Sequence, residues 1–210
     1  MITDGLSPIT MLLFLGAVLT GVVLVGLYLF ARARSNATLA RFSGRLLVTG
    51  IGVYVAALVI ASLASHSRLL APGQEKHLCE VDCHLAYSVA GAKAETLPGG
   101  NIRHTVTVKI RFDETTIAPW RPKDASLSPN SRYVALVDST GTRYQGSTDG
   151  LRRRLIPGES YTTDIVFEVP SSARNLRLVL RNADPETAFV IGHENSFFHG
   201  KTMFALPAES

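Results

Sequence analysis

The chain has 210 residues, a formal net charge of +4 and a sequence pI of about 9.3, values that would suit a nucleic-acid partner. The distribution of the charge argues against that class, because residues 68–210 hold 17 Lys and Arg against 16 Asp and Glu. The positive excess lies in residues 32–45, which contain four arginines and no acid. We therefore predict no nucleic-acid partner.

Two apolar runs, 9–31 and 46–65, flank this basic segment and contain no Asp, Glu, Lys, Arg or His. As helices, each run is roughly 30 Å long or a little more, which is enough to cross the hydrocarbon core of a bilayer. Arginines in a short loop hold that loop on the cytoplasmic side. We predict a hairpin anchor (1–67) with a cytoplasmic loop (32–45), followed by a linker (68–78) and an extracytoplasmic domain (79–210).

The predicted location is therefore the bacterial inner membrane, with the N-terminus and the C-terminal domain on the periplasmic side. The first run follows an acidic N-terminal stretch without Lys or Arg, unlike the basic start of a signal peptide, so we expect it to be retained.

Small residues recur at four-residue spacing in both runs, a pattern that allows helix backbones to approach closely in lipid. The two helices either pack on each other through these residues or present them to helices of another protein. Neither run contains a charged residue, which favours an anchor or a docking surface over an ion path. The small residues are Ala17, Gly21, Gly52, Ala56, Ala57 and Ala61.

After residue 78 the hydrophobic period changes to two, which is typical of half-buried strands. The pattern predicts strands at 85–89, 104–112, 133–137, 142–145, 161–169, 176–181, 187–191 and 202–206. Seven or eight short strands separated by turn residues indicate an all-β, immunoglobulin-like antiparallel sandwich.

Ligand-type side chains concentrate in one segment that holds both cysteines, and three interpretations remain open. In the first, Cys79 and Cys83 form a disulfide or a pair of buried thiols at the start of the domain. A disulfide requires a turn between them, because a regular strand would hold them about 13 Å apart. Alternatively, they bind copper together with His77 and His84. The third interpretation is covalent haem c at Cys83-His84, although the usual attachment spacing is two residues. We favour the disulfide and predict no cofactor.

Further motifs in the domain support a resemblance. Pro157-Gly-Glu159, Phe167-Glu-Val-Pro170 and the stretch from Asn195 to Thr202, together with the cysteine pair, resemble bacterial membrane-anchored extracytoplasmic immunoglobulin-like domains of unassigned function. The resemblance implies the sandwich and no catalytic residue.

The layout of a helix hairpin followed by a β-domain also resembles subunit II of haem-copper oxidases, whose copper site uses two cysteines at this spacing. The chain departs from that family because the cysteines open the domain, position 87 is Tyr, and the next Met is Met203.

Two further features are candidate outer contacts. Trp120 lies in a proline-framed loop, and Arg152, Arg153 and Arg154 form a basic cluster. No nucleophile elbow, zinc-protease motif or phosphate loop occurs in the sequence, so we predict that the protein is not an enzyme.

These features predict a non-catalytic accessory or scaffolding subunit of a larger bacterial membrane complex, respiratory or photosynthetic, with other membrane subunits and the lipid bilayer as partners. The alternatives are a copper- or haem-binding electron-transfer protein and a membrane-anchored sensor or ligand-binding module.

Overall fold

The computed structural model describes residues 2–3, 8–78, 84–117, 122, 124–129, 131–182 and 184–207. The chain divides into two compact units. One unit contains Met1–Gly5, Ser67–Asp184 and Lys201–Ser210, and the other contains Leu6–His66 and Pro185–Gly200.

The second unit contains two long helices, α1 (Pro8–Ala33) and α2 (Ala37–Leu63). Both are long and apolar enough to cross a membrane. Their connection is shorter than the predicted loop, because the positive φ of Ser35 (55°) turns the chain sharply and Asn36 caps α2. The Asn36 side chain accepts a hydrogen bond from the backbone N–H of Leu39 at 3.1 Å, so α2 begins well before the apolar run.

The first unit consists of two five-stranded sheets. Sheet 1 has the order β1-β3-β4-β5-β8, and sheet 2 has the order β2-β10-β9-β6-β7. The pairs β1–β3 and β2–β10 are parallel, and the other pairs are antiparallel. The strands are β1 (Ile2–Thr3), β2 (Arg68–Leu70), β3 (Lys76–His77), β4 (Leu85–Thr96), β5 (Asn101–Phe112), β6 (Tyr133–Val137), β7 (Arg143–Gln145), β8 (Ser160–Pro170), β9 (Arg177–Arg181) and β10 (Thr202–Ala205).

Both sheets contribute to one hydrophobic core. In β5 and β8 every second residue along the buried part of the strand is apolar and points into the core, as predicted. Val108, Ile110 and Phe167 are examples. Gly146 marks a close approach to β8, since a Cβ there would lie 2.6 Å from the Phe167 ring. The domain is therefore a β-sandwich in which the longest strands lie in sheet 1.

Two predicted regions differ from the structure. Residues 68–78, expected to be a linker, contribute the short strands β2 and β3, and β3 is buried. Residues 187–191, expected to be a strand, lie instead in and after a 3₁₀-helical turn at Pro185–Phe189. Proline suits the first turn of a helix because its missing N–H would be unbonded there. In addition, β10 already has β9 and β2 as neighbours, so it offers no open edge to a further strand.

Candidate functional site

The cysteine segment connects β3 to β4, which are antiparallel neighbours in sheet 1. Cys79 and Cys83 lie outside the described residues, which end at Leu78 and resume at His84. The backbone N–H of Leu78 donates to the carbonyl of Leu85 at 3.3 Å, so the chain enters and leaves the segment in opposite directions. The disulfide between Cys79 and Cys83 stays a prediction.

The two histidines that flank the cysteines contact different groups. His77 is 3% exposed, and its Nε2 lies 3.9 Å from Oδ2 of Asp113. His84 Nδ1 lies 2.6 Å from the hydroxyl of Thr116, and its ring stacks on Phe112 with 5.7 Å between centroids. Because the Thr116 hydroxyl donates to the Asp113 carbonyl at 2.7 Å, it accepts its bond from Nδ1–H of His84.

Asp113 links this region to an ionic cluster that the sequence did not indicate. Arg111 donates to both carboxylate oxygens of Glu75, from Nε at 2.9 Å and from an Nη at 2.7 Å. The same Nη lies 3.3 Å from Asp113 Oδ2. Strand register explains the cluster, since Ala86 of β4 stands between His77 and Arg111 and its small side chain lets Arg111 reach across the strand.

The cluster holds its carboxylates ionised. The hydrogen bond from Arg111 lowers the pKa of Glu75 from its ordinary value of 4.5. Burial alone would raise the pKa of Asp113, but hydrogen bonds from Thr115 and Arg111 outweigh it, and the pKa is lowered from 3.8. The pKa of Arg111 is raised, chiefly by its hydrogen bond to Glu75. Glu75, Arg111 and Asp113 therefore remain charged at neutral pH.

Within the described part of the chain, no three His, Cys, Asp or Glu side chains are grouped as metal ligands would be. The two cysteines that would complete a set with His77 and His84 fall in the gap at 79–83. The copper and haem interpretations therefore stay predictions.

The small residues of the hairpin occupy different surroundings. Ala17 and Gly21 line an apolar groove of about 500 Å³ between α1 and α2, together with residues such as Leu24, Gly50 and Tyr54. Among the described residues that line this groove, none carries a charge. A Cβ at Gly21 would meet nothing within 4 Å, so the helices do not approach closely at this position.

The four α2 residues predicted to pack or dock, Gly52, Ala56, Ala57 and Ala61, lie outside the groove lining. Gly52 and Ala56 are exposed, and a Cβ at Gly52 would also meet nothing within 4 Å. Ala57 and Ala61 are half-buried.

Of the candidate outer contacts, the structure describes the three arginines but not the tryptophan. Trp120 lies outside the described residues. All three arginines of the basic cluster are exposed; Arg152 pairs with Asp149 at 2.9 Å, and the Arg153 guanidinium lies 5.4 Å from the centre of the Tyr161 ring. Exposed ion pairs of this kind contribute little to stability.

No family model and no curated protein sequence matches this chain. Two solved structures are similar in fold. An uncharacterized β-sandwich protein from Clostridium difficile is 9% identical with a TM-score of 0.41, and the match covers 68% of this chain and 96% of that one. The secreted protein MPT63 from Mycobacterium tuberculosis is 13% identical with a TM-score of 0.44, and the match covers 68% of this chain and 99% of that one.

Proposed function

We propose that the protein is a non-catalytic accessory subunit that stabilises a larger bacterial inner-membrane complex, respiratory or photosynthetic. In this proposal α1 and α2 span the membrane and the sandwich lies on the periplasmic side. The observation that carries it is the groove between α1 and α2. Its occupant in this proposal is a membrane helix of another subunit.

The orientation has two supports. The arginines that connect and flank the helices belong on the cytoplasmic side. In addition, β1 pairs with β3 of the sandwich, which favours an N-terminus on the same side as the sandwich. A helix hairpin with its connection in the cytoplasm and both of its ends on the periplasmic side agrees with both observations.

The groove fits a helix better than a polar ligand. Its lining is apolar or small except for the hydroxyl groups of Thr20 and Tyr54. It includes Gly16, Ala17 and Gly21 from α1 and Gly50 from α2. Small residues allow a third backbone to approach where lipid provides no hydrophobic drive for association. The groove lies within the two uncharged runs, so in this proposal it lies at the depth of the bilayer.

We further propose that the sandwich is immunoglobulin-like. The order β4-β5-β8 in one sheet and β10-β9-β6-β7 in the other supports this proposal, because it follows the A-B-E and G-F-C-C′ arrangement of such domains. Folds of this class serve many unrelated functions, so the proposed role depends on the hairpin rather than on the fold.

Filling the groove tests the proposal. The full-length protein is purified in mild detergent from its native membranes, and stoichiometric partners are identified by mass spectrometry. We expect a membrane-spanning partner with the parent protein and a loss of about tenfold or more with Gly21→Leu, since overpacking costs about 1–3 kcal/mol.

Gly26→Leu is the matched control on the same helix. Gly26 is exposed, a Cβ there meets nothing within 4 Å, and it does not line the groove. It should retain the partner. Equal recovery with both variants, or a parent protein that purifies as a monomer without a partner, would contradict the proposal.

A further inference from the structure

The segment Pro185–Gly200 connects β9 to β10, yet it belongs to the same compact unit as the two helices. We call it the phenylalanine segment, because it exposes Phe189 (51%), Phe197 (54%) and Phe198 (76%). Phe189 and Phe197 contact each other edge to face, with ring centroids 5.8 Å apart. Large apolar side chains exposed close together in the chain are candidates for an interaction surface.

The segment is attached to α2 and its C-terminal extension at two points. The Tyr54 hydroxyl donates to the Phe189 carbonyl at 2.7 Å, and the Gly200 N–H donates to the Ser65 hydroxyl at 2.7 Å. Between these points Leu58 and Ser62 are buried, and the four-residue spacing places Tyr54, Leu58 and Ser62 on one face of α2. The segment therefore runs along α2 from Tyr54 to its C-terminal end, over about 14 Å.

This placement fixes its depth if the helices span the membrane. The uncharged run 46–65 is only just long enough to cross a hydrocarbon core of about 30 Å, so all of it must lie within that core. Tyr54 lies near the middle of the run. A backbone carbonyl held by its hydroxyl then lies well below the membrane surface.

The backbone of the segment suits such a place, because non-helical chain at membrane depth must satisfy its own polar groups. Four successive turns each close with a hydrogen bond between residues three apart. The bonds run from the N–H of Val190 to the carbonyl of Thr187 (3.3 Å), from His193 to Val190 (3.1 Å), from Ser196 to His193 (2.9 Å) and from His199 to Ser196 (3.2 Å).

Pro185 and Glu186 at the start of the segment are exposed, but from Thr187 to Phe198 the side chains are arranged in the reverse of the usual order for a water-exposed loop. The polar residues Thr187, His193, Glu194 and Ser196 are buried, and the phenylalanines are exposed. Asn195 joins two of the buried residues, donating from Nδ2 to Thr187 Oγ1 and from its backbone N–H to His193 Nδ1, both at 2.9 Å. Phe198 has a positive φ (64°), which a bulky residue rarely adopts.

We infer that the phenylalanine segment lies within the periplasmic leaflet of the bilayer and that Phe189, Phe197 and Phe198 contact lipid acyl chains. Hydrocarbon favours polar groups turned inward and aromatic rings turned outward, which water does not. The inference rests on the proposed spanning of the membrane by α1 and α2. It adds a third membrane-embedded element, supplied by a loop of the sandwich.

Tryptophan fluorescence in liposomes tests this inference. Tryptophan replaces Phe198 in the full-length protein, and the signal of Trp120 is subtracted by using the parent protein. We expect strong quenching by lipids brominated on their acyl chains. We also expect a quenching constant for iodide at least about threefold below that of a water-exposed site, because hydrocarbon excludes the ion.

Two control sites distinguish failure of this inference from failure of the proposed membrane anchor. Val166→Trp, half exposed on β8, reports a water-exposed position, and Val53→Trp, exposed on α2, reports insertion of the hairpin. If brominated lipids quench Trp at position 53 but iodide quenches Trp at position 198 as at 166, the inference fails while the anchor stands. If Trp at position 53 is also open to iodide, the proposed anchor itself fails.

Protection of position 198 from both quenchers would also overturn the inference, since it indicates burial against protein rather than lipid. Phe189→Trp provides a second reporter in case the positive φ at Phe198 prevents folding of the first variant. Quenching of Phe189→Trp by brominated lipid would support the inference by itself, and quenching by iodide would overturn it.

Discussion

Arg111 is the residue on which the ionic cluster of the sandwich depends, because it bonds both oxygens of Glu75 and one of Asp113. Both carboxylates have lowered pKa values in the folded protein. A lowered pKa means that the folded state binds its protons less readily than the unfolded state. The stabilisation is therefore fully present above the ordinary values near 4 and is lost as the pH falls through the folded-state values.

Arg111→Met should consequently destabilise the protein at pH 7 by about 1–2 kcal/mol, because it removes charged hydrogen bonds that are partly screened by water. The difference from the parent protein should narrow below about pH 4, where protonation weakens the cluster in the parent as well. Thermal unfolding of the full-length protein in detergent at pH 7 and pH 3.5, followed by near-ultraviolet circular dichroism, measures both effects.

Arg103→Met is the control on the same strand. Arg103 is more exposed, and its contacts to Glu95 and Glu168 are longer, at 3.8 and 3.4 Å. This variant should change stability little at either pH. A constant difference between Arg111→Met and the parent at both pH values would show that the cluster is not the source of the effect.

At the scale of elements, the short strand β3 joins the two sheets through a buried lysine. Lys76 is fully buried in sheet 1, and its Nζ donates to the carbonyl of Leu180 on β9 at 2.9 Å. A second, longer contact of 3.5 Å reaches the carbonyl of Thr202 on β10. Both carbonyls belong to sheet 2, so this side chain bridges the sandwich beside its core.

Lys76→Met retains most of the aliphatic side chain but removes the donor, so the bonded carbonyls lose a partner in a buried site. We expect a loss of about 1–3 kcal/mol in the free energy of unfolding. Urea unfolding of the full-length protein measures it, and Lys93→Met, at an exposed position of β4, is the control. Unchanged or increased stability of Lys76→Met would show that the bridge does not stabilise the sandwich.

The strands around Lys76 illustrate what sequence patterns can and cannot predict. The long strands β5 and β8 were predictable, because period-two alternation over many residues is typical of a half-buried strand and of little else. The strands β2 and β3 are too short to show any period. Among the described strands, the only neighbour of β2 is the distant strand β10, and β3 lies between the distant strand β1 and the nearby strand β4. The region was therefore predicted as a linker.

The candidate sites also include some features that the sequence predicts and others that it does not. The apolar runs and the cysteine segment were visible in the sequence, because each is contiguous. The cluster of Glu75, Arg111 and Asp113 depends on strand register, and no local pattern encodes it. The phenylalanine segment was predicted in part as a strand from its composition. Its attachment to Tyr54 joins residues 135 positions apart, which no periodicity reveals.

At the scale of the whole molecule, the proposed orientation links the charge pattern to the chemistry of the cysteines. A periplasmic sandwich places Cys79 and Cys83 in an oxidising compartment, where a disulfide persists. A cytoplasmic sandwich would leave them reduced. The predicted disulfide therefore depends on the proposed periplasmic location of the sandwich.

Labelling with a membrane-impermeant maleimide tests this orientation. Ser128→Cys, at an exposed position of the sandwich, should react in intact spheroplasts, whereas Ala37→Cys, at the exposed start of α2, should react only after lysis. The arginines near the helix connection give the physical reason, since positive charge in a short loop favours the cytoplasmic side of a membrane. The parent protein provides the background from Cys79 and Cys83, which should be unreactive if they form the predicted disulfide. Reaction of Ala37→Cys in intact spheroplasts together with protection of Ser128→Cys would reverse the orientation and remove the basis for the disulfide.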